Sequence, residues 1–183
     1  MKYTTAIPRQ IRKLVRSGLV LGSLSACTNP SSLPPCPNIF ALSDARQFDH
    51  FHPGGGTKLN DIEYAVRIDD WKGSCGYKQR DLEWDVNVDM QVSFTVKRGP
   101  ANVGGAADFQ YFAAIPVFYP KPEAKKSIPV TIKFPDGVDT VQYTGVPISM
   151  TFPVKGKEVI DNYTIYLGLQ MTQDEVARNR RDK

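Results

Sequence analysis

The chain has 183 residues, Lys+Arg 23 against Asp+Glu 19 for a formal net charge of +4, and 41% hydrophobic residues. That length suits one domain with a real core. The positive balance does not describe that domain: residues 1–16 hold Lys2, Arg9, Arg12, Lys13 and Arg16, and residues 1–26 hold no acid. Beyond residue 26 the count becomes 18 against 19, net −1, which is not the basic patch that nucleic-acid binding needs.

In chain order, the basic start is followed by an uncharged stretch, residues 17–26, with Leu19, Val20, Leu21 and Leu24. A basic, then apolar, then small-residue order marks an export signal. The apolar run is about half the ~20 residues that span a bilayer, so it does not read as a transmembrane helix. Its end, Leu24-Ser25-Ala26-Cys27, resembles the lipobox of bacterial lipoprotein signal peptides. That resemblance implies removal of residues 1–26, diacylglycerol on the Cys27 thiol and acylation of the new amino terminus. Thr28, in place of Asp, leans toward the outer membrane over the inner. With Cys27 carrying lipid, Cys36 and Cys75 remain, an even pair in an oxidising compartment and so one expected disulfide.

Residues 27–37 are rich in Pro and Ser and read as an extended tether that reaches at most ~30 Å to Cys36. Residues 38–183 read as the folded domain. Residues 38–51 are ambiguous, with one helical turn or a loop at 43–48. Pro53-Gly54-Gly55-Gly56 breaks regular structure.

Period-two alternation then dominates, the mark of half-buried strands. Ile62, Tyr64, Val66 and Ile68 share one face, and Asp70-Trp71-Lys72-Gly73 reads as a turn. The strongest run is 82–97, with Leu82, Trp84, Val86, Val88, Met90, Val92, Phe94 and Val96 on one face. At ~3.3 Å per residue it would extend about 53 Å, long enough to predict a bend or bulge that lets one strand serve two sheets. Residues 98–105 read as a hairpin loop. Further strands are expected at 109–117, with Pro116 at an edge or bulge, and at 128–134, 146–154 and 163–171. Thr172-Gln173-Asp174-Glu175 matches a capping box for a short C-terminal helix, which ends in the basic Arg178, Arg180, Arg181 and Lys183. That tail reads as solvated, with contact to anionic lipid as the alternative. The predicted fold is therefore all-β: an antiparallel, immunoglobulin-like sandwich with a short C-terminal helix.

Candidate chemistry is sparse. His50 and His52, in Asp49-His50-Phe51-His52-Pro53, are the only histidines and could hold zinc or copper with a carboxylate such as Asp44 or Asp49. The favoured reading places them in a solvated glycine-rich loop with no metal, where replacing both by Ala would change stability by less than about 1 kcal/mol. Gly54-Gly55-Gly56-Thr57-Lys58 lacks GxxxxGK(S/T) spacing. Glu83, Asp85 and Asp89 could form an acid/base pair or a calcium site, but read first as a solvated sheet face. No GxSxG element accompanies the serines.

The later region resembles small bacterial envelope lipoproteins. The residues that carry this are Cys36-Pro37, Gly73-Ser74-Cys75-Gly76-Tyr77, Arg98-Gly99-Pro100, Leu169-Gln170-Met171-Thr172 and Asn179-Arg180. The resemblance implies the disulfide and the sandwich but brings no activity. The expectation is a membrane-tethered, non-enzymatic envelope lipoprotein without a cofactor, held on the periplasmic face by its lipid and binding an envelope protein partner. Metal or small-ligand binding through His50 and His52 ranks second, and a cell-wall glycan-acting enzyme third.

Overall fold

The computed structural model describes residues 35–181 apart from Gly55, Thr57, Leu82 and 156–159. The signal segment, Cys27 and most of the tether lie outside the described residues. Two sheets pack face to face, so the domain is the all-β sandwich that the alternation predicts. Its strands are β1 (Ile39–Ala41), β2 (Gln47–Phe51), β3 (Ile62–Arg80), β4 (Glu83–Arg98), β5 (Ala106–Ala114), β6 (Lys125–Lys133), β7 (Thr140–Thr144), β8 (Ile148–Lys155) and β9 (Ile165–Leu169). Helix α1 (Gln173–Arg181) follows. One sheet runs β1-β9-β5-β6; the other runs β2-β3-β4, with β7 and β8 one after the other along the far edge of β4. The β1–β9 pair is parallel, and the remaining pairs are antiparallel.

The β3–β4 ribbon is the backbone of the second sheet. Strand β4 is the 16-residue run seen in the alternation, and it stays in one sheet. The expected bulge lies in its partner: β3 shifts register between Ile68, opposite Phe94, and Asp70, opposite Ser93. The shift flips the phase of the inward positions. Before it Tyr64, Val66 and Ile68 are buried; after it Trp71, Cys75 and Tyr77 pack on the core. That flip is why residues 70–73 read as a turn in sequence, although the strand continues through them to Arg80. Asp69 fastens the bulge, accepting from Arg67 Nε at 2.8 Å and Thr95 Oγ1 at 2.5 Å. Arg46 donates to the carbonyls of Ile68 and Asp69.

Residues 140–144, unassigned by pattern, form β7, a five-residue edge strand with only Val141 and Tyr143 turned toward the core. Strand β5 stops at Ala114, and Pro116 opens a 3-10 turn, which leaves Val117 outside the strand. Pro129 and Pro153 lie in β6 and β8, both edge strands, where a missing N–H can face outward.

Phe94 centres the core, with ring centroids 4.9 Å from Tyr111, 5.5 Å from Phe109 and 6.2 Å from Tyr143. Each such buried side chain contributes about 1.5–3 kcal/mol. Tyr111 is fully enclosed, and its Oη has no hydrogen-bond partner among the described residues. Burial, and then the neighbouring Tyr143, push its phenol up to about 12. The oxygen abuts Gly145, the hinge between β7 and β8, whose N–H donates to Val92 at 2.8 Å. A Cβ at Gly145 would stand 2.8 Å from Tyr111 Oη.

Gly145→Ala is therefore expected to destabilise by about 1–3 kcal/mol, and Tyr111→Phe to be neutral or stabilising because it removes an unpaired buried hydroxyl. In the double variant most of the Gly145→Ala loss should vanish. Urea unfolding of the four proteins checks this; zero coupling in that cycle would refute the steric account.

Candidate functional site

Three elements converge at the His50 end of β2. Strand β2 pairs with β3, which sets His50 opposite Tyr64. The two rings stack with centroids 4.7 Å apart and planes 20° from parallel. His50 Nδ1 lies 2.9 Å from Glu175 Oε1 on α1, and its Nε2 lies 3.8 Å from Glu63 Oε2 on β3. His52 Nδ1 lies 2.8 Å from Glu63 Oε1. The Glu175 side chain is 6% exposed, so its carboxylate needs these partners.

The capping box accounts for the rest of Glu175. Its Oε2 accepts from the Thr172 backbone N–H at 2.7 Å and from Thr172 Oγ1 at 3.0 Å. The Glu175 N–H donates back to Thr172 Oγ1 at 3.3 Å. Glu175 thus caps its own helix with one oxygen and holds β2 with the other. The docking is extended by Arg178, 4.9 Å from the Phe51 ring centre, and by Asn179 Nδ2, which donates to the Asp44 and Gln47 carbonyls. Tyr64 donates its hydroxyl to the Asp108 carbonyl of β5, which ties the two sheets together. Burial raises the Tyr64 pKa, and the nearby carboxylates, Glu175 foremost, push the same way.

This corrects the solvated-loop expectation for the histidines. His50 is a β2 residue whose side chain is 31% exposed, and only His52, at 55%, is largely in water. Sequence reasoning missed Glu63 and Glu175 because they lie 11 residues from His52 and 125 residues from His50. The capping-box signal named Glu175, but only for its local role. Among the described residues, no group of three or more His, Cys, Asp or Glu side chains is arranged to hold a metal ion. Of the carboxylates suggested for the histidines, Asp44 lies 3.8 Å from Arg180 Nε. The cluster is a structural clasp.

The acidic residues of β4 are a polar ladder on the outer sheet face. Asp85 pairs with Arg80 at 2.5 Å, and Asp89 accepts from Asn87 at 3.0 Å and from Ser149 of β8. In the glycine segment, Lys58 N–H donates to Asp61 Oδ2 at 3.0 Å to cap a 3-10 turn, which is not the strand–loop–helix setting of a phosphate loop.

The second constructed feature is at the tether. Cys36 and Cys75 are joined by a disulfide with Cα atoms 5.7 Å apart. Tyr77 Oη donates to the Pro35 carbonyl at 2.5 Å, so the chain leaving the domain is fixed to the distal half of β3 at two points. Comparison with known proteins returned no matching family model, no matching curated protein and no matching solved structure.

Two outcomes follow from this geometry. His50→Ala removes a donor from buried Glu175 and is expected to destabilise by about 1–3 kcal/mol, whereas His52→Ala should change stability by less than about 0.5 kcal/mol. Denaturant melts of both variants test it, and equal effects would remove the clasp. For the disulfide, the bridged residues are 39 apart. A closure of that length contributes about 4 kcal/mol in the chain-entropy account. Melting with and without dithiothreitol should show a clear drop on reduction; superimposable curves would contradict a stabilising role.

Proposed function

We propose that the chain is a lipid-anchored envelope protein. In this reading residues 1–26 are removed and Cys27 carries diacylglycerol. The sandwich then stands on the periplasmic side of a membrane, the outer one by the Thr28 criterion, and binds another envelope protein as a non-enzymatic assembly or holding module. The observation that carries the reading is the Cys36–Cys75 disulfide, whose first cysteine lies nine positions after the lipobox-like cysteine. Structural disulfides persist in oxidising compartments, which is where a lipobox sends a protein. One sequence feature and one independent tertiary feature therefore point to the same place.

Two further observations support the non-enzymatic part. The histidines and nearest carboxylates bond one another in the clasp between β2, β3 and α1. Large apolar side chains also stand in solvent, Phe40 at 53%, Val117 at 56% and Tyr119 at 82%, which suits a surface that meets something else.

The test is processing. Wild-type protein made in a bacterial host is expected to start at Cys27 and carry lipid mass there, and Cys27→Ala to remain uncleaved and unlipidated. Crosslinking in intact envelopes, followed by mass spectrometry, should then recover an envelope protein with the wild type. A wild-type chain that keeps Met1 and a free Cys27 thiol would overturn the proposal.

A further inference from the structure

The outer face of the β1-β9-β5-β6 sheet keeps the polar-out pattern at Asp108, Gln110, Thr131 and Lys133 but departs from it toward β1 and β9. Phe40 pairs with Tyr166, Tyr166 with Ala114, and Ala114 with Lys125, so these four residues form one row across all four strands. They face away from the core, because the adjacent Leu167 and Ala113 are fully buried on the inner side. Phe112 lies on the same face, with Lys125 Nζ 4.4 Å from its ring centre. Beside it a cleft of about 350 Å³ opens between this sheet and α1, lined by Leu42, Phe112, Met171 and Val176. Lys125 and Arg180 stand among its lining residues together with one acid, Asp44, which lies 3.8 Å from Arg180. Phe40 is 53% and Leu42 38% exposed.

We propose that this face rests on an anionic phospholipid surface. Aromatic and aliphatic side chains edged by Lys and Arg are the composition that enters a membrane interface: apolar area supplies contact, and cations draw in anionic headgroups. The local cations matter because the chain beyond residue 26 is net −1, so overall charge does not attract it. Chain length fits the same occupant. Cys36, held by its disulfide, is nine positions after Cys27, a reach of at most about 30 Å, against a radius of gyration of about 15 Å for a domain of this size. The lipid-anchored reading supplies this orientation, and the inference rests on it in that respect.

The test needs no lipid on the protein. Residues 28–183 contain every described strand, the core and the disulfide. That oxidised chain is expected to co-sediment with phosphatidylethanolamine–phosphatidylglycerol vesicles and less with pure phosphatidylcholine vesicles. The Phe40→Ser/Leu42→Ser variant, checked for an unchanged melt, should bind at least about tenfold more weakly. Lys125→Gln and Arg180→Gln should each reduce the preference for anionic vesicles by about fivefold. Absence of wild-type co-sedimentation, or equal binding by the serine variant, overturns the proposal. So does a concentration-dependent dimer that the serine variant loses, because the face would then meet a second copy. Failure of the anchoring reading is read separately, from the mass at Cys27.

Discussion

The β3–β4 ribbon, and the bulge that Asp69 fastens within it, is the constraint on which the rest of the structure depends. A 19-residue strand paired with a 16-residue strand stays in one sheet only if its inward side chains follow the core along its whole length. One inserted residue lets β3 switch from even to odd inward positions. The proximal half then faces the first sheet through Tyr64, Val66 and Ile68. The distal half turns Cys75 and Tyr77 to the place where the tether arrives. Asp69 can hold the bulge because Thr95, which is 5% exposed, presents its hydroxyl from β4. Arg46, just before β2, reaches the two carbonyls that the shift leaves exposed.

Both ends of the domain are fastened to this ribbon. The disulfide and the Tyr77–Pro35 hydrogen bond hold the N-terminal end against distal β3, where chain entropy would otherwise fray a short tether. The C-terminal end is held through Glu175. A nine-residue helix is marginal by itself. Its capping carboxylate is shared with His50, which stacks on Tyr64, and Tyr64 in turn bonds β5. A chain of contacts therefore runs from α1 through β2 and β3 into the opposite sheet. His50, one of the two imidazoles in the chain, serves the fold there.

The two outer faces differ in chemistry. The outer face of the β4 sheet is a ladder of acid, amide and hydroxyl pairs suited to water. The outer face of the β9 sheet carries Phe40, Tyr166 and Phe112 with cations beside them. One outer face of the sandwich is therefore polar throughout, and the other has an apolar, cation-edged end.

The sequence by itself determined what depends on local periodicity. Alternation in 82–97 located β4 within one residue, the apolar runs located β6, β8 and β9, and Thr172 with Glu175 located the start of α1. The parity of the cysteines, with Cys27 set aside as the expected lipobox cysteine, pointed to the Cys36–Cys75 bridge that the structure shows. Only the tertiary structure decided what depends on distant partners. Residues 70–73 resembled a turn because a bulge changes phase, and a phase change in one strand is indistinguishable from a break until its partner is known. Strands β2 and β7, of five residues each, were too short for their alternation to register. His50 resembled a loop residue because the carboxylate that holds it is 125 positions away. The apolar row on the outer face joins residues from β1, β9 and β5, none of which signals the others, since cross-strand neighbours are set by register and not by proximity along the chain.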